Sequence, residues 1–348
     1  MKPKILNWKS IESQFDDTII IGNGGSIAIC NKFNYKSLKQ YAENNKIFSE
    51  KIIKLFDKFD TDDFESILRT LFIAKDINRI LEILDDKTYK LYQELRTNLI
   101  ETIRQIHPEY SDIETSLYNI NNFIKRFKII LSLNYDLIIY WAIMYSIEND
   151  KQYRFKDFFI HGKFDIEFLL EEITIYKPNK HLQTKNSFIF YPHGNLILET
   201  NYENEKKINV SKSSNLLEEI THKWEKDNIN PLFISEGSSV KKLQAIYNSK
   251  YLRTVYEKIL PLKKKSLVIY GCSFADNDLH ILEKILEFAN KFEYYDKKFD
   301  GYPKIAISVY QEDIQYCIRI KQKIDNILQN KEVEIIFFDS QSLGCWAY

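Results

Sequence analysis

Residues 18 to 26 read TIIIGNGGS, a run of β-branched residues that passes straight into three glycines within four positions. A continuous apolar run with no polar alternation suits a strand buried on both faces, as in a parallel sheet covered by helices. A glycine turn at the end of such a strand is where the sheet opens onto a ligand. Gly22-Asn23-Gly24-Gly25-Ser26 lets the backbone approach a pyrophosphate closely, and the amides that follow can bind its oxygens. The spacing departs from G-x-G-x-x-G, and a plain tight βα connection would use the same residues.

The pattern recurs along the chain. KIILSLNYD at 128 to 136 is a second apolar run ending in Asn134, Tyr135 and Asp136, and the following LIIYWAIMYSIEN is a helix too apolar to lie on a surface. SFIFYPHGNLILET at 187 to 200 reads as strand, polar turn and strand, with His193 and Gly194 at the tip. PLFISEGSS at 231 to 239 suggests a further strand-to-loop tip. SLVIYGCSF at 266 to 274 ends in Gly271-Cys272-Ser273, and the helix after it has an acidic first turn. KIAISVY, QEDIQYCIRIKQKIDNIL and VEIIFFDS complete a strand, helix, strand alternation. This order predicts an α/β fold, a Rossmann-like mostly parallel sheet with helices on both faces, with ligands beyond the carboxyl ends of the strands. Between residues 36 and 127 the period is helical, in KIIKLFDKF, DFESILRTLF and LYQELRTNLIETIRQI. The expected organisation is an α/β domain over 1–35 and 128–348, interrupted by a helical insertion over 36–127.

Composition removes several classes of function. Lys+Arg and Asp+Glu both total 49, so no long-range field would gather nucleic acid or an anionic membrane. The N-terminus lacks the apolar stretch of a secretory signal, and no apolar run approaches the roughly 20 residues that span a bilayer. Cys30, Cys272, Cys317 and Cys345 are scattered without a C-x-x-C pair, which suggests neither a zinc site nor a disulfide framework. The expectation is a cytoplasmic protein with reduced thiols, no membrane partner and no direct nucleic-acid binding.

At the strand tips, Asn134 and Asp136 offer a short amide and a carboxylate that reach a ribose or a nicotinamide amide, although Asp136 would equally cap the helix that follows. His193, after Pro192 and before Gly194, is the best placed of six histidines to act as a general base near neutral pH, where a lone histidine is more often structural. His161 in FKDFFIHG ranks second. His107, His181, His222 and His280 lie in helical or exposed contexts and are given no role. The small residues Gly271, Cys272 and Ser273 would let the adenosine half of a nucleotide lie against the backbone, or would close a strand end packed on its helix.

Taken in order, GNGGS, SLNYD, YPHGN and IYGCS resemble the sirtuin fold family, and especially the bacterial sirtuin-like NAD hydrolases of antiphage defence. The resemblance covers short motifs of the α/β core and not the helical stretch. It implies that Gly22, Gly24 and Ser26 bind the NAD diphosphate, that Asn134 orients a water or the ribose, that Asp136 lies near the nicotinamide, and that His193 is the base. It implies that Gly271 and Ser273 contact the adenosine ribose. A looser likeness of the segment from Pro231 to uncharacterised sirtuin-like proteins puts Glu236 and Gly237 at the border of the site. Two departures bear on activity. Residues 195 to 265 contain no cysteine where deacetylases carry a four-cysteine zinc module, and the chain lacks their Pro-Asp-Phe-Arg segment after the glycine turn. The resemblance therefore implies hydrolysis of NAD, as substrate and without a cofactor or zinc, to ADP-ribose and nicotinamide, in an effector regulated by homo-oligomerisation or a partner protein. The rival readings are a sensor that binds NAD or ADP-ribose without cleaving it, and an interaction protein whose glycines only make tight turns.

Overall fold

The computed structural model describes residues 3–34, 38–83, 86–150, 153–175, 186–201, 204–208, 216–226, 229–234, 237–291, 302–329 and 331–348. Its strands, in chain order, are Ile5–Leu6 (β1), Thr18–Ile21 (β2), Ile129–Ser132 (β3), Arg154–Lys156 (β4), Phe159–Ile160 (β5), Lys163–Phe164 (β6) and Asn186–Phe190 (β7). They continue with Gly194–Thr200 (β8), Glu205–Lys207 (β9), Asn230–Phe233 (β10), Ser266–Tyr270 (β11), Lys304–Val309 (β12) and Glu334–Asp339 (β13).

Continuous β-branched runs form the middle of one sheet. Ile19 to Ile21 of β2 pair with Val268 to Tyr270 of β11 on one side and with Ile130 to Ser132 of β3 on the other, and all three strands are buried along their length. The eight strands run β1-β13-β12-β11-β2-β3-β7-β4, and every neighbouring pair is parallel. Helices cover the sheet in an α/β, Rossmann-like arrangement. From β7 through β3, β2, β11 and β12 to β13 the order is that of a dinucleotide-binding sheet, with one strand added at each edge. The chain grows outward from β2 in one direction and from β11 in the other, so the crevice of a topological switch point lies at their carboxyl ends.

A second sheet of five strands, ordered β10-β8-β9-β6-β5, is antiparallel throughout. It corrects the expectation for PLFISEGSS: β10 is not the tip of a parallel strand but pairs antiparallel with β8. The turn Tyr191-Pro192-His193 carries the chain from one sheet into the other. Gly194, which opens β8, has φ +78°, and a Cβ there would stand 2.1 Å from the carbonyl oxygen of Leu232 in the paired strand β10, so only glycine fits where the chain enters the second sheet.

Between β2 and β3 the described residues form helices joined by turns, the longest being Phe64–Ile80 and Lys87–Ile106. The second of these is tied to the neighbouring structure by Arg104, whose Nε donates to Thr221 Oγ1 at 3.2 Å, and by Tyr92, whose hydroxyl accepts from Asn230 Nδ2 at 2.7 Å. Trp8, Trp141, Trp224 and Trp346 are all fully buried in one core. Among the described residues no helix is long and apolar enough to cross a membrane.

Candidate functional site at the switch point

The glycine turn ends β2 and starts the helix Asn23–Ile29. Its amides are largely taken up by protein. Gly22 N donates to Tyr270 O at 2.9 Å, Gly24 N to Gly271 O at 2.8 Å, and Gly25 N to Gly22 O at 2.9 Å. A Cβ on Gly24 would lie 2.8 Å from Gly271 O, and one on Gly271, itself at φ +64°, would lie 2.4 Å from Gly25 N. The glycines thus serve first to bring the tips of β2 and β11 together, backbone on backbone. Of the turn's amides, those of Gly22 and Gly24 are thus bonded across the switch point. Cys272 fits the same contact, its Sγ 2.8 Å from where a Gly22 Cβ would sit. Burial pushes its thiol well up, so it stays neutral.

Ser26 is placed differently from the diphosphate contact that the resemblance implies. It is fully buried, and its hydroxyl links the two polar residues at the tip of β3. Asn134 Nδ2 donates to Ser26 Oγ at 2.7 Å and to Gly22 O at 3.1 Å, while Ser26 Oγ donates in turn to a carboxylate oxygen of Asp136. The other Asp136 oxygen accepts from Ile138 N at 2.9 Å, at the first residue of the helix Ile138–Asn149. Asn195 of β8 holds the tip from outside, its Nδ2 donating to Asp136 O at 2.6 Å and to Asn134 O at 3.3 Å. Burial raises the Asp136 carboxyl to about 6, against the opposing pull of the bonds from Ser26 and Ile138.

His193 is 3% exposed and stands across the cleft with partners from distant segments. Its Nε2 lies 3.1 Å from Nε2 of His280, and the two ring planes are inclined by 27°. His280 Nδ1 lies 3.1 Å from Ser239 Oγ. Beside them Lys242, 4% exposed, donates to Asp278 Oδ1 at 2.8 Å. Burial lowers both histidines, aided by the Lys242 charge and resisted by Asp278: His193 falls well below its ordinary value and His280 to about 4. For Asp278 burial works upward but is outweighed by His193, Lys242 and His280, so its carboxyl is lowered. Both rings are therefore neutral at pH 7.

Asn134, Asp136, His193, Lys242 and Asp278 border one cleft of about 500 Å³, together with the Gly22–Gly24 turn. A second cavity of about 700 Å³ shares Gly24, Gly271, Cys272 and Ser273 with it and continues past the ends of β12 and β13 to Tyr310, Arg319 and Tyr348. Of the residues expected at the site, Gly22, Asn23, Gly24, Asn134, Asp136, His193, Gly271, Cys272 and Ser273 line the first cleft. Gly25 and Ser26 are buried beneath it. Glu236 lies outside the described residues, as does His181. His161 is exposed at the turn between β5 and β6, φ +49°. His107 is buried rather than exposed: its Nδ1 meets Pro108 O at 2.8 Å and its Nε2 accepts from Leu137 N at 3.1 Å, which fixes the tip of β3 from below.

The expectation missed His280, Lys242, Asp278 and Asn195. His280 was set aside as helical, but it sits in the first turn of the helix Leu279–Leu286, only a few residues past the Gly271-Cys272-Ser273 tip. That proximity to a strand's carboxyl end was the available signal. Among the described residues no group of three His, Cys, Asp or Glu side chains is arranged to hold a metal ion.

The family model described as "Domain of unknown function (DUF4917)" matches residues 19–346. No curated protein matches the chain.

Proposed function

The chain belongs to the DUF4917 family, whose description assigns no activity, and from the cleft itself we propose that it hydrolyses NAD at the nicotinamide–ribose bond. What carries this reading is the convergence of Asn134, Asp136 and His193 on one cleft at the switch point of a sheet ordered for dinucleotides. The nicotinamide ribose would occupy the first cleft and the adenosine half the second, with Gly271 and Ser273 between them.

In the reaction the bond from the anomeric carbon to the nicotinamide nitrogen breaks, and its electron pair neutralises the cationic ring as it leaves. A water oxygen bonds to the anomeric carbon and its proton passes to His193, giving ADP-ribose and nicotinamide. Asn134 uses its Nδ2 for Gly22 and Ser26, which leaves Oδ1 as the part of the amide to hold that water. Asp136, ionised above about pH 6, supplies negative charge near the developing oxocarbenium ion. Because the leaving group is already cationic, the step needs no metal. An active NAD hydrolase depletes its own cell, so we place it in antiphage defence, held off by oligomerisation or a partner protein. A constitutively active monomer on size exclusion would count against that regulation.

A specific observation favours a second reading, a sensor that binds NAD or ADP-ribose without cleaving it: Asn134, Ser26, Asp136 and His193 are all already hydrogen-bonded to protein. Nicotinamide release from NAD, read by chromatography beside His193→Ala and Asn134→Ala, separates the two. A general base is typically worth about 10²- to 10⁴-fold, so His193→Ala should lose that much with its fold intact. Fully active His193→Ala would remove the assignment, binding without release would support the sensor, and absence of NAD binding would remove both.

A further inference from the structure

We propose that His280 is a positioning residue for His193, and that His280 and Ser239 form the path by which a proton taken up at the cleft leaves it. Two neutral imidazoles whose Nε2 atoms stand 3.1 Å apart hold one proton between them, so the tautomer of one ring dictates that of the other. The chain of contacts runs on from His280 Nδ1 to Ser239 Oγ at 3.1 Å, and the same oxygen lies 3.1 Å from the His280 backbone nitrogen, whose N–H donates to it. Beside that bond Ser239 Oγ keeps a second lone pair, which can accept from His280 Nδ1. His280 then carries its proton on Nδ1, offers a lone pair at Nε2, and receives Nε2–H from His193. His193 is left with a lone pair on Nδ1, the form a base requires.

When His193 Nδ1 takes a proton from water, its Nε2 proton moves to His280 Nε2, the His280 Nδ1 proton moves to Ser239, and the Ser239 hydroxyl proton goes to solvent. Ser239 is half-buried at the start of the helix Ser239–Tyr247, so the path ends near the surface. The charged and titratable groups facing the pair are Lys242 from that helix, Asp278 from the turn before Leu279, and Tyr256, whose ring lies 6.4 Å from His280 and whose hydroxyl donates to His280 O at 3.4 Å. The Lys242–Asp278 pair is close to neutral overall, so a second proton is not held at His193 and moves on. Burial, aided by the Lys242 charge and resisted by Asp278, keeps both rings below their ordinary range.

The catalytic consequence rests on the hydrolase reading, while the tautomer does not, and the test keeps them apart. The ring nitrogens of the whole chain are read by two-bond proton–nitrogen NMR, in wild type, His280→Phe and His280→Gln. Wild type should show His193 protonated on Nε2, and His280→Phe should show a mixture of tautomers. His280→Gln, which keeps an acceptor, should retain the wild-type form. Nicotinamide release should fall about 10- to 100-fold in His280→Phe, less than on loss of the base itself, through kcat with KM for NAD little changed, and with an altered pH profile. The glutamine variant should recover part of it, and His193→Ala/His280→Phe should be no slower than His193→Ala alone. A wild-type His193 protonated on Nδ1, or a tautomer unmoved in His280→Phe, overturns the proposal. If the chain releases no nicotinamide in any form, the NMR result still decides the positioning role.

Discussion

One wall of the cleft is made where backbone meets backbone, and the opposite wall where side chains meet side chains. At the ends of β2 and β11, Gly22, Gly24 and Gly271 lie so close that a single methyl group would strike a carbonyl oxygen or an amide nitrogen. Across the cleft, His193, His280, Ser239, Lys242 and Asp278 come from three separate segments and are joined by hydrogen bonds and one ion pair. The first wall tolerates no added volume and carries little titratable chemistry of its own. The second tolerates shape changes better but depends on charge and proton position. Substitutions on the first should break the fold, and those on the second should alter pH response and chemistry.

The largest effect is expected at Gly271→Ala, which combines φ +64° with a Cβ 2.4 Å from Gly25 N. It should cost about 3–5 kcal/mol or prevent folding, read by urea unfolding. A stable Gly271→Ala protein would mean that the first wall is not held by backbone contact.

Buried groups around the cleft should also respond oppositely to acid. His107 and His280 have folded values of about 4 against an ordinary 6.5, so the unfolded chain takes up their protons first. Their stabilisation is present above pH 6.5 and is lost as pH falls through about 4, at about 3 kcal/mol each. Asp136, raised from 3.8 to about 6, works the other way: its contribution is full below about 3.8 and is lost as pH rises through about 6. Urea midpoints between pH 7 and 4 should therefore fall, more steeply in Asp136→Asn and less steeply in His280→Gln. Equal slopes in all three would dissolve the contrast.

Lys242→Met leaves Asp278 without its buried cation and should cost about 1–3 kcal/mol in thermal unfolding. The smallest effect is expected at the exposed Ser273, beside Gly271: Ser273→Ala should stay within about 0.5 kcal/mol of wild type in stability. A larger loss there would mean that the shared edge of the two cavities is structural.

The parallel sheet was legible because β2, β3, β11 and β12 are continuous apolar runs, a pattern that buried parallel strands produce and few other elements do. The antiparallel sheet was not. Its β5, β6 and β9 are only two or three residues long and carry no period, and β10 reads like the parallel strands until its pairing with β8 is seen. At the site, Asn134, Asp136 and His193 were found because polar residues directly after a strand lie at its carboxyl end. His280, Lys242 and Asn195 were not found, because each is defined by a partner elsewhere in the chain.

Sequence alone determined the strand tips, the helical character of the segment between β2 and β3, and the residues able to do chemistry at the cleft, since these depend on neighbours within a few positions. Tertiary structure alone decided that the glycines fit against one another before any ligand, that Ser26 is buried between Asn134 and Asp136, and that His193 Nε2 meets His280 Nε2. Those outcomes depend on distances of about 3 Å between residues far apart in the chain, which only the completed packing of two sheets can set.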